Sequence, residues 1–261
     1  MKVRGERECT DCGARWSYYE TGSVACPECE SLHSVGIADR KLHTDAAVDL
    51  DLTPFRDRFG EARGTLPEEG VDDLKQQLRA YVRKRGFVHG GELRPLDDTY
   101  LAARELLQAV DLYDRLPDPT DDDRLYLLEL LAGADEGDRP DPGAVPDSSR
   151  QARGLAYANA VATYRDDLLT YLDDIARGGT ESDAGVTDGS SEPLPVDPTE
   201  VREHLGAIRD RVKRIEALQG DVDPVAVEEL VRAVDDVGRA VREDDPQALD
   251  AARDRIAGSE L

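Results

Sequence analysis

Apolar residues recur along most of this chain at the three- and four-residue intervals of an α-helix. Val71, Leu74, Leu78, Tyr81 and Val82 fall at i, i+3, i+7, i+10 and i+11, one stripe of an amphipathic helix that Gly86 ends. A second helix is expected from Asp97 or Asp98, with Ala103, Leu106, Leu107, Val110 and Tyr113 on one face. A third begins near Thr120, carries Leu125, Leu128 and Leu131, and stops at Gly133. After a loop rich in Asp, Gly and Pro comes the longest, over residues 149–177, with Tyr157, Val161, Tyr164, Leu168, Tyr171, Leu172 and Ile175 at helical spacing. Gly178 and Gly179 end it. These four helices are expected to form one central bundle over residues 68–177.

Periodicity then lapses. Residues 178–196 read as a flexible acidic linker, and residues 40–67 as a polar connector anchored by Leu50, Leu52, Phe55 and Phe59. Beyond the linker one device appears three times. Asp197-Pro198, Asp223-Pro224 and Asp245-Pro246 each set an N-cap acid before a proline at the first helical position, and Glu200 looks like the partner of a capping box. Val201, Leu205, Ile208, Val212 and Ile215 then step by fours and threes, as do Val227, Leu230, Val234, Val237 and Val241. This is the seam of an antiparallel helical hairpin over residues 197–261, with Leu249 and Ile256 on a third short helix.

The first forty residues break the pattern. All four cysteines lie here, as Cys9-x-x-Cys12 and Cys26-x-x-Cys29 with thirteen residues between. Gly13 follows the first pair, where a positive φ is often needed, and Pro27 stiffens the second turn. Arg15 to Glu20 have strand propensity, Thr21-Gly22 a turn, and Ser23-Val24-Ala25 a return strand, with flanking strands at residues 3–8 and 34–37. The pattern predicts a zinc ribbon over residues 1–40, with Cys9, Cys12, Cys26 and Cys29 as ligands. A module of this size buries too little apolar surface to fold unaided, and four thiolates leave no open position, so the zinc is read as structural rather than catalytic. The same paired turns also hold iron, the less favoured ion. Disulfides and a thioredoxin-like dithiol are disfavoured, because no apolar signal region and no βαβ pattern accompany the cysteines.

Composition changes the picture in two ways. The 261 residues carry 57 acids against 33 lysines and arginines, a net charge of −24, and lysine occurs only at Lys2, Lys41, Lys75, Lys84 and Lys213. With apolar spacing too regular for disorder, this reads as a soluble, cytoplasmic protein of a halophile, since molar salt shortens the Debye length to about 3 Å. No apolar run is long enough to span a membrane. The charge is also uneven: residues 1–45 contribute only −2, which makes the ribbon the likelier place for any nucleic-acid contact.

Other candidate chemistry is thinner. His33 and His43 flank the ribbon, which four cysteines already saturate, and His89 beside Gly90-Gly91 is read as part of a turn rather than a catalytic base. His204 is expected at the helical seam. Acid pairs such as Asp166-Asp167 are a consequence of composition, and Arg83-Lys84-Arg85 suits a helix C-terminus better than a phosphate patch. Of Trp16, Tyr18 and Tyr19, which can stack on bases, at least one is expected to fill the ribbon core.

Cys9-x-x-Cys12-Gly13 with Trp16, followed by Cys26-Pro27-x-Cys29, resembles the zinc ribbons of archaeal transcription proteins of the transcription factor IIB type. The whole chain resembles a haloarchaeal family of zinc-ribbon-containing proteins without an assigned activity. The ribbon resemblance covers residues 1 to about 40, and implies zinc on the four cysteines without promoter or polymerase function. Glu30 stands where a glycine usually follows the last cysteine, so a different turn is expected there. The reading is a mainly α chain with a small β zinc ribbon, acting as a non-enzymatic adaptor or transcription-associated protein. A protein is the first candidate partner and nucleic acid the second, with oligomeric state open. The alternative is an enzyme or regulatory subunit with a site in the stretch 87–96, which opens on Phe87 and closes on Leu96.

Overall fold

A computed structural model describes residues 1–59, 68–178 and 196–258. In chain order their elements are β1 (Lys2–Arg4), β2 (Glu6–Cys9), β3 (Arg15–Ser17), α1 (Tyr18–Thr21), β4 (Ser34–Gly36), β5 (Arg40–Leu42), α2 (Thr53–Phe59) and α3 (Glu68–Lys84). Then follow β6 (Val88–His89), β7 (Glu92–Leu93), α4 (Asp98–Tyr113), α5 (Asp121–Gly133), α6 (Arg150–Ala176), α7 (Pro198–Ala217), α8 (Pro224–Glu243) and α9 (Pro246–Gly258). The chain is mainly helical, with a small amino-terminal sheet. No described helix is long and apolar enough to cross a membrane. The expected linker 178–196, but for its two ends, lies outside the described residues, as do residues 60–67 of the expected connector.

The described residues form two compact units. The first contains Met1–Val48, Lys84–Arg94 and residues 166–178. Its three-stranded antiparallel sheet has the order β3-β2-β4, and β1 pairs separately with β5, Val3 opposite Lys41. The strands expected to flank the ribbon thus make its sheet. The expected return strand at residues 23–25 does not form, because the chain leaves β3 through one turn of helix, α1, which closes on Gly22 at φ 61°. The stretch 87–96 is ordered by a hairpin, with Val88 opposite Leu93 and His89 opposite Glu92. Gly90 and Gly91, at φ 59° and 87°, make the two-residue turn between them, and this turn suits residues that tolerate positive φ. Gly91 N–H donates to the Leu42 carbonyl at 2.8 Å, and Thr44 N–H to that of Val88 at 2.9 Å. Asp167 of α6 accepts from the Thr44 hydroxyl and the Phe87 N–H, each at 2.7 Å, and Asp174 pairs with Lys2 at 2.9 Å.

The second unit contains residues 49–59, 68–83, Pro95–Arg165 and 196–258. Within it α4 packs on α5, and α7, α8 and α9 pack on one another. The three Asp-Pro starts fall where the sequence puts them: Asp197, Asp223 and Asp245 accept from the N–H groups of Thr199, Val225 and Gln247 at 2.8 to 3.0 Å. Glu200 does not close a capping box; its carboxylate binds Arg253 at 2.7 Å instead. The reciprocal box occurs on α5, between Thr120 and Asp123. The seam residues of α7 and α8 are buried, and His204 with them. The expected face of α5 holds only at Leu131. Leu125 is 63% exposed, and Tyr126, Leu127, Leu130 and Leu131 face inward. An apolar run that covers nearly the whole helix circumference leaves its inward face unspecified until neighbours are in place.

Candidate metal centre

Each cysteine pair sits in the same tight turn. In the first, Gly13 N–H donates to the Cys9 carbonyl at 3.0 Å and Cys9 N–H to that of Ala14 at 2.8 Å. In the second, Glu30 N–H donates to the Cys26 carbonyl at 2.9 Å and Cys26 N–H to that of Ser31 at 2.9 Å. Gly13 and Glu30 are thus equivalent positions, and both are left-handed, at φ 77° and 58°. The expected difference at Glu30 does not arise: a non-glycine residue takes the glycine conformation, at a strain cost of about 1–2 kcal/mol.

The two turns face each other. All four sulfurs, of Cys9, Cys12, Cys26 and Cys29, lie within 4.8 Å of one another, and can hold a metal ion such as zinc. The Cys9–Cys29 and Cys12–Cys26 sulfurs are 3.7 and 3.5 Å apart. Zinc–sulfur bonds of about 2.3 Å set tetrahedral sulfurs about 3.8 Å apart, so the cluster has the right size. Cys9 and Cys26 are buried against Trp16, whose indole N–H donates to the Ser23 carbonyl at 3.0 Å; Trp16 is the aromatic that fills this core. Asp11 links the turns from outside, accepting from the Ser31 hydroxyl at 2.5 Å and lying 3.2 Å from His33 Nδ1. The Ser31 bond first, and His33 after it, hold the Asp11 carboxyl below its ordinary value.

The thiols divide their protons unequally. Desolvation works to raise Cys26, but the N–H groups of Cys29 and Glu28 and the thiols of Cys12 and Cys29 outweigh it and bring it down to about 7. The Ser31 N–H acts to lower Cys29, yet Cys12, desolvation, Cys26 and Cys9 push it up to about 12. One thiol sheds its proton readily and its neighbour then holds on. A dication removes the conflict by taking every sulfur as thiolate.

A second group of titratable side chains lies in the same unit. His89 Nδ1 is 3.3 Å from Asp45 and its Nε2 3.2 Å from Glu20, so both ring nitrogens face carboxylates. Arg85 also binds Asp45, at 2.7 Å. The His43 ring packs 4.7 Å from Tyr19 and 5.1 Å from His89, and its Nδ1 accepts the Gly90 N–H at 3.2 Å. That nitrogen is therefore unprotonated. Desolvation, with the His89 charge and the amino terminus, outweighs Asp45 and Glu20 and places the His43 pKa below the ordinary 6.5. The unfolded chain then takes up the proton more readily than the folded one. Stability is complete above the ordinary imidazole value and is lost as pH falls through it towards the folded value. The urea midpoint of this unit, followed by Trp16 emission, is expected to drop between about pH 7.5 and 5.5, and to drop less in His43→Phe. Equal pH slopes in the two proteins would remove His43 from this account.

Two groups escape sequence reasoning. Lys2, Arg4, Arg7 and Arg40 line one cleft of the first unit, and the only readable sign was same-face alternation at positions 2 and 4. In the second unit Glu105 and Arg153 are wholly buried together, each on an otherwise apolar helix face.

The family of unknown function DUF7117 matches residues 1–256 of the chain. No curated protein and no solved structure matches it.

Proposed function

We propose, for a chain that belongs to this family of unknown function, that it is a non-enzymatic adaptor whose ribbon is folded by one structural zinc ion and docks a protein partner. The sulfur cluster carries the reading. Cys9, Cys12, Cys26 and Cys29 would complete a tetrahedron, leaving no position for water or substrate, so the metal would supply folding energy and no chemistry. The docking part rests on strand β4, which ends the sheet order β3-β2-β4 and has no described neighbour on its far side. Leu32, Val35 and Ile37, on and beside it, are 72%, 49% and 45% exposed. Exposed apolar residues along an edge strand suit a partner that adds a strand or an apolar face. The transcription association rests on the ribbon's resemblance alone. A halophilic setting rests on the charge of −24.

Affinity capture with the zinc-loaded full chain, in KCl of about 1 M, tests the reading against Leu32→Asp/Val35→Asp. A protein retained by the wild type and lost with the variant is the expected result, at equal zinc content. If both proteins retain the same set, or if none is retained while small metabolites raise the melting temperature, the adaptor reading fails.

A further inference from the structure

The cleft that holds four cations lies wholly in the first unit. It has a volume of about 440 Å³, and Lys2, Arg4, Arg7, Arg40, Tyr18 and Val24 line it. No carboxylate is among its lining residues, although acids outnumber bases 57 to 33 in the chain. Residues 1–45 hold six cations, Lys2, Arg4, Arg7, Arg15, Arg40 and Lys41, and four of them converge here. In a protein of charge −24, every formal charge among these lining residues is positive.

Two guanidiniums are set in place by neutral groups. The Arg4 side chain lies across Gly36, where a Cβ would come within 2.6 Å of its Cδ, and its Nη1 donates to the Ala38 carbonyl at 2.6 Å. Arg7 donates through Nε and Nη2 to the Ser34 hydroxyl and carbonyl at 2.9 to 3.1 Å. Neither contact removes charge, and both reduce the freedom lost when an anion binds. The Lys2 charge is offset by Asp174, so the argument for an anion rests on Arg7 and Arg40. The Tyr18 ring and Val24 supply an apolar wall beside them.

We propose that this cleft binds one nucleotide unit of a single-stranded nucleic acid, with its phosphate on Arg7 and Arg40 and its base against Tyr18. The volume is that of a small-ligand site and exceeds what a lone phosphate fills. Arg7, held by Ser34, keeps Nη1 to donate to a phosphate oxygen, the exposed Arg40 can add its own fork, and an aromatic face takes any base without regard to sequence. An acidic peptide would satisfy the charge but leave the planar wall unused. The proposal rests on the zinc-folded ribbon of the preceding reading and needs no protein on the exposed edge of β4, although Gly36 of that strand also lines the cleft.

Fluorescence anisotropy of a labelled oligo-dT strand against the zinc-loaded full chain tests it, with inorganic phosphate, a mononucleotide and an oligo-Asp peptide as competitors. Arg7→Ala/Arg40→Ala is expected to weaken strand binding about tenfold, and to flatten the salt dependence by about 0.7 for each phosphate no longer neutralised. The exposed Arg40→Ala alone should move both quantities the same way, which guards against misfolding of the double variant. Tyr18→Ala should weaken the strand and the mononucleotide but leave inorganic phosphate unchanged. A mononucleotide competing as well as the strand assigns the cleft to free nucleotides and overturns the strand assignment. Strand binding indifferent to the arginines, or displacement by oligo-Asp at equal concentration, overturns the site. An uncharged Leu32→Ser/Val35→Ser, which removes the apolar edge without adding carboxylates beside Ser34 and Gly36, should bind the strand like the wild type, so loss of the protein partner and loss of the nucleotide read out separately.

Discussion

Removal of metal is expected to unfold the amino-terminal sheet while leaving most of the helix content intact. Structural zinc contributes roughly 10–16 kcal/mol of apparent binding free energy, more than a module of this size gains from its own core. That core, Cys9, Trp16 and Cys26 with Ala14 against it, contains two of the proposed ligands, so it loses its central tie when the ion leaves. The helices α2 to α9 account for most of the described residues, and none contains a cysteine. A strong chelator, or Cys9→Ser with Cys26→Ser, should therefore red-shift the emission of Trp16, the single tryptophan, and expose the amides of β2, β3 and β4 to exchange. Far-ultraviolet circular dichroism should change little. Metal analysis should find one zinc per chain in the wild type and none in the double variant. A ribbon that keeps its Trp16 emission and exchange protection without metal would end the structural-zinc reading.

What could be read from the sequence was what is local. Two C-x-x-C turns, a glycine after the first and an Asp-Pro before each of three helices are decided within a few residues, and the sulfur cluster and the caps follow them. Long amphipathic stripes also hold, because α7 and α8 each present one apolar face. Features that depend on a neighbour did not read through. Tyr18 to Glu20 have strand propensity, yet with Thr21 they coil into one helical turn, with the Tyr19 hydroxyl donating to the Val3 carbonyl at 3.0 Å. Tertiary context overrides propensity over so short a span. Glu30 shows the same ordering, since the pull of the second turn into register outweighs the strain of one non-glycine residue. The cation cleft joins the consecutive strands β1 and β2 to the start of β5, far along the chain, so only the sheet pairing brings Arg40 to the other charges.

Glu105→Leu is expected to be among the most destabilising single substitutions in the second unit, by about 3–5 kcal/mol. Glu105 has no solvent exposure, yet it lies four residues after Leu101 and four before Ala109 on the buried face of α4. One carboxylate oxygen accepts from the Tyr126 hydroxyl and the other from that of Tyr157, the latter at 2.6 Å. Arg153 Nε lies 3.4 Å away, and its Nη2 donates to the Pro140 carbonyl at 2.9 Å and to Tyr157 at 3.0 Å. Burial raises the Glu105 carboxyl, opposed first by Arg153 and then by the two tyrosines. Arg153 Nε and Nη1 make no hydrogen bond, so the charge of Glu105, with that of Glu228 3.8 Å from Nη2, is what offsets their burial. Leucine at 105 would leave a buried guanidinium with only the longer pair to Glu228 and deprive two phenols of their acceptor. Removing both charges should do less harm than removing one, because the desolvation of each is then no longer incurred. Glu105→Leu/Arg153→Leu is accordingly expected to recover much of the loss, and Tyr126→Phe alone to cost about 1 kcal/mol. Urea unfolding followed by helix circular dichroism measures all of these, and a double variant less stable than Glu105→Leu by the full cost of Arg153→Leu would mean that the two charges are not coupled.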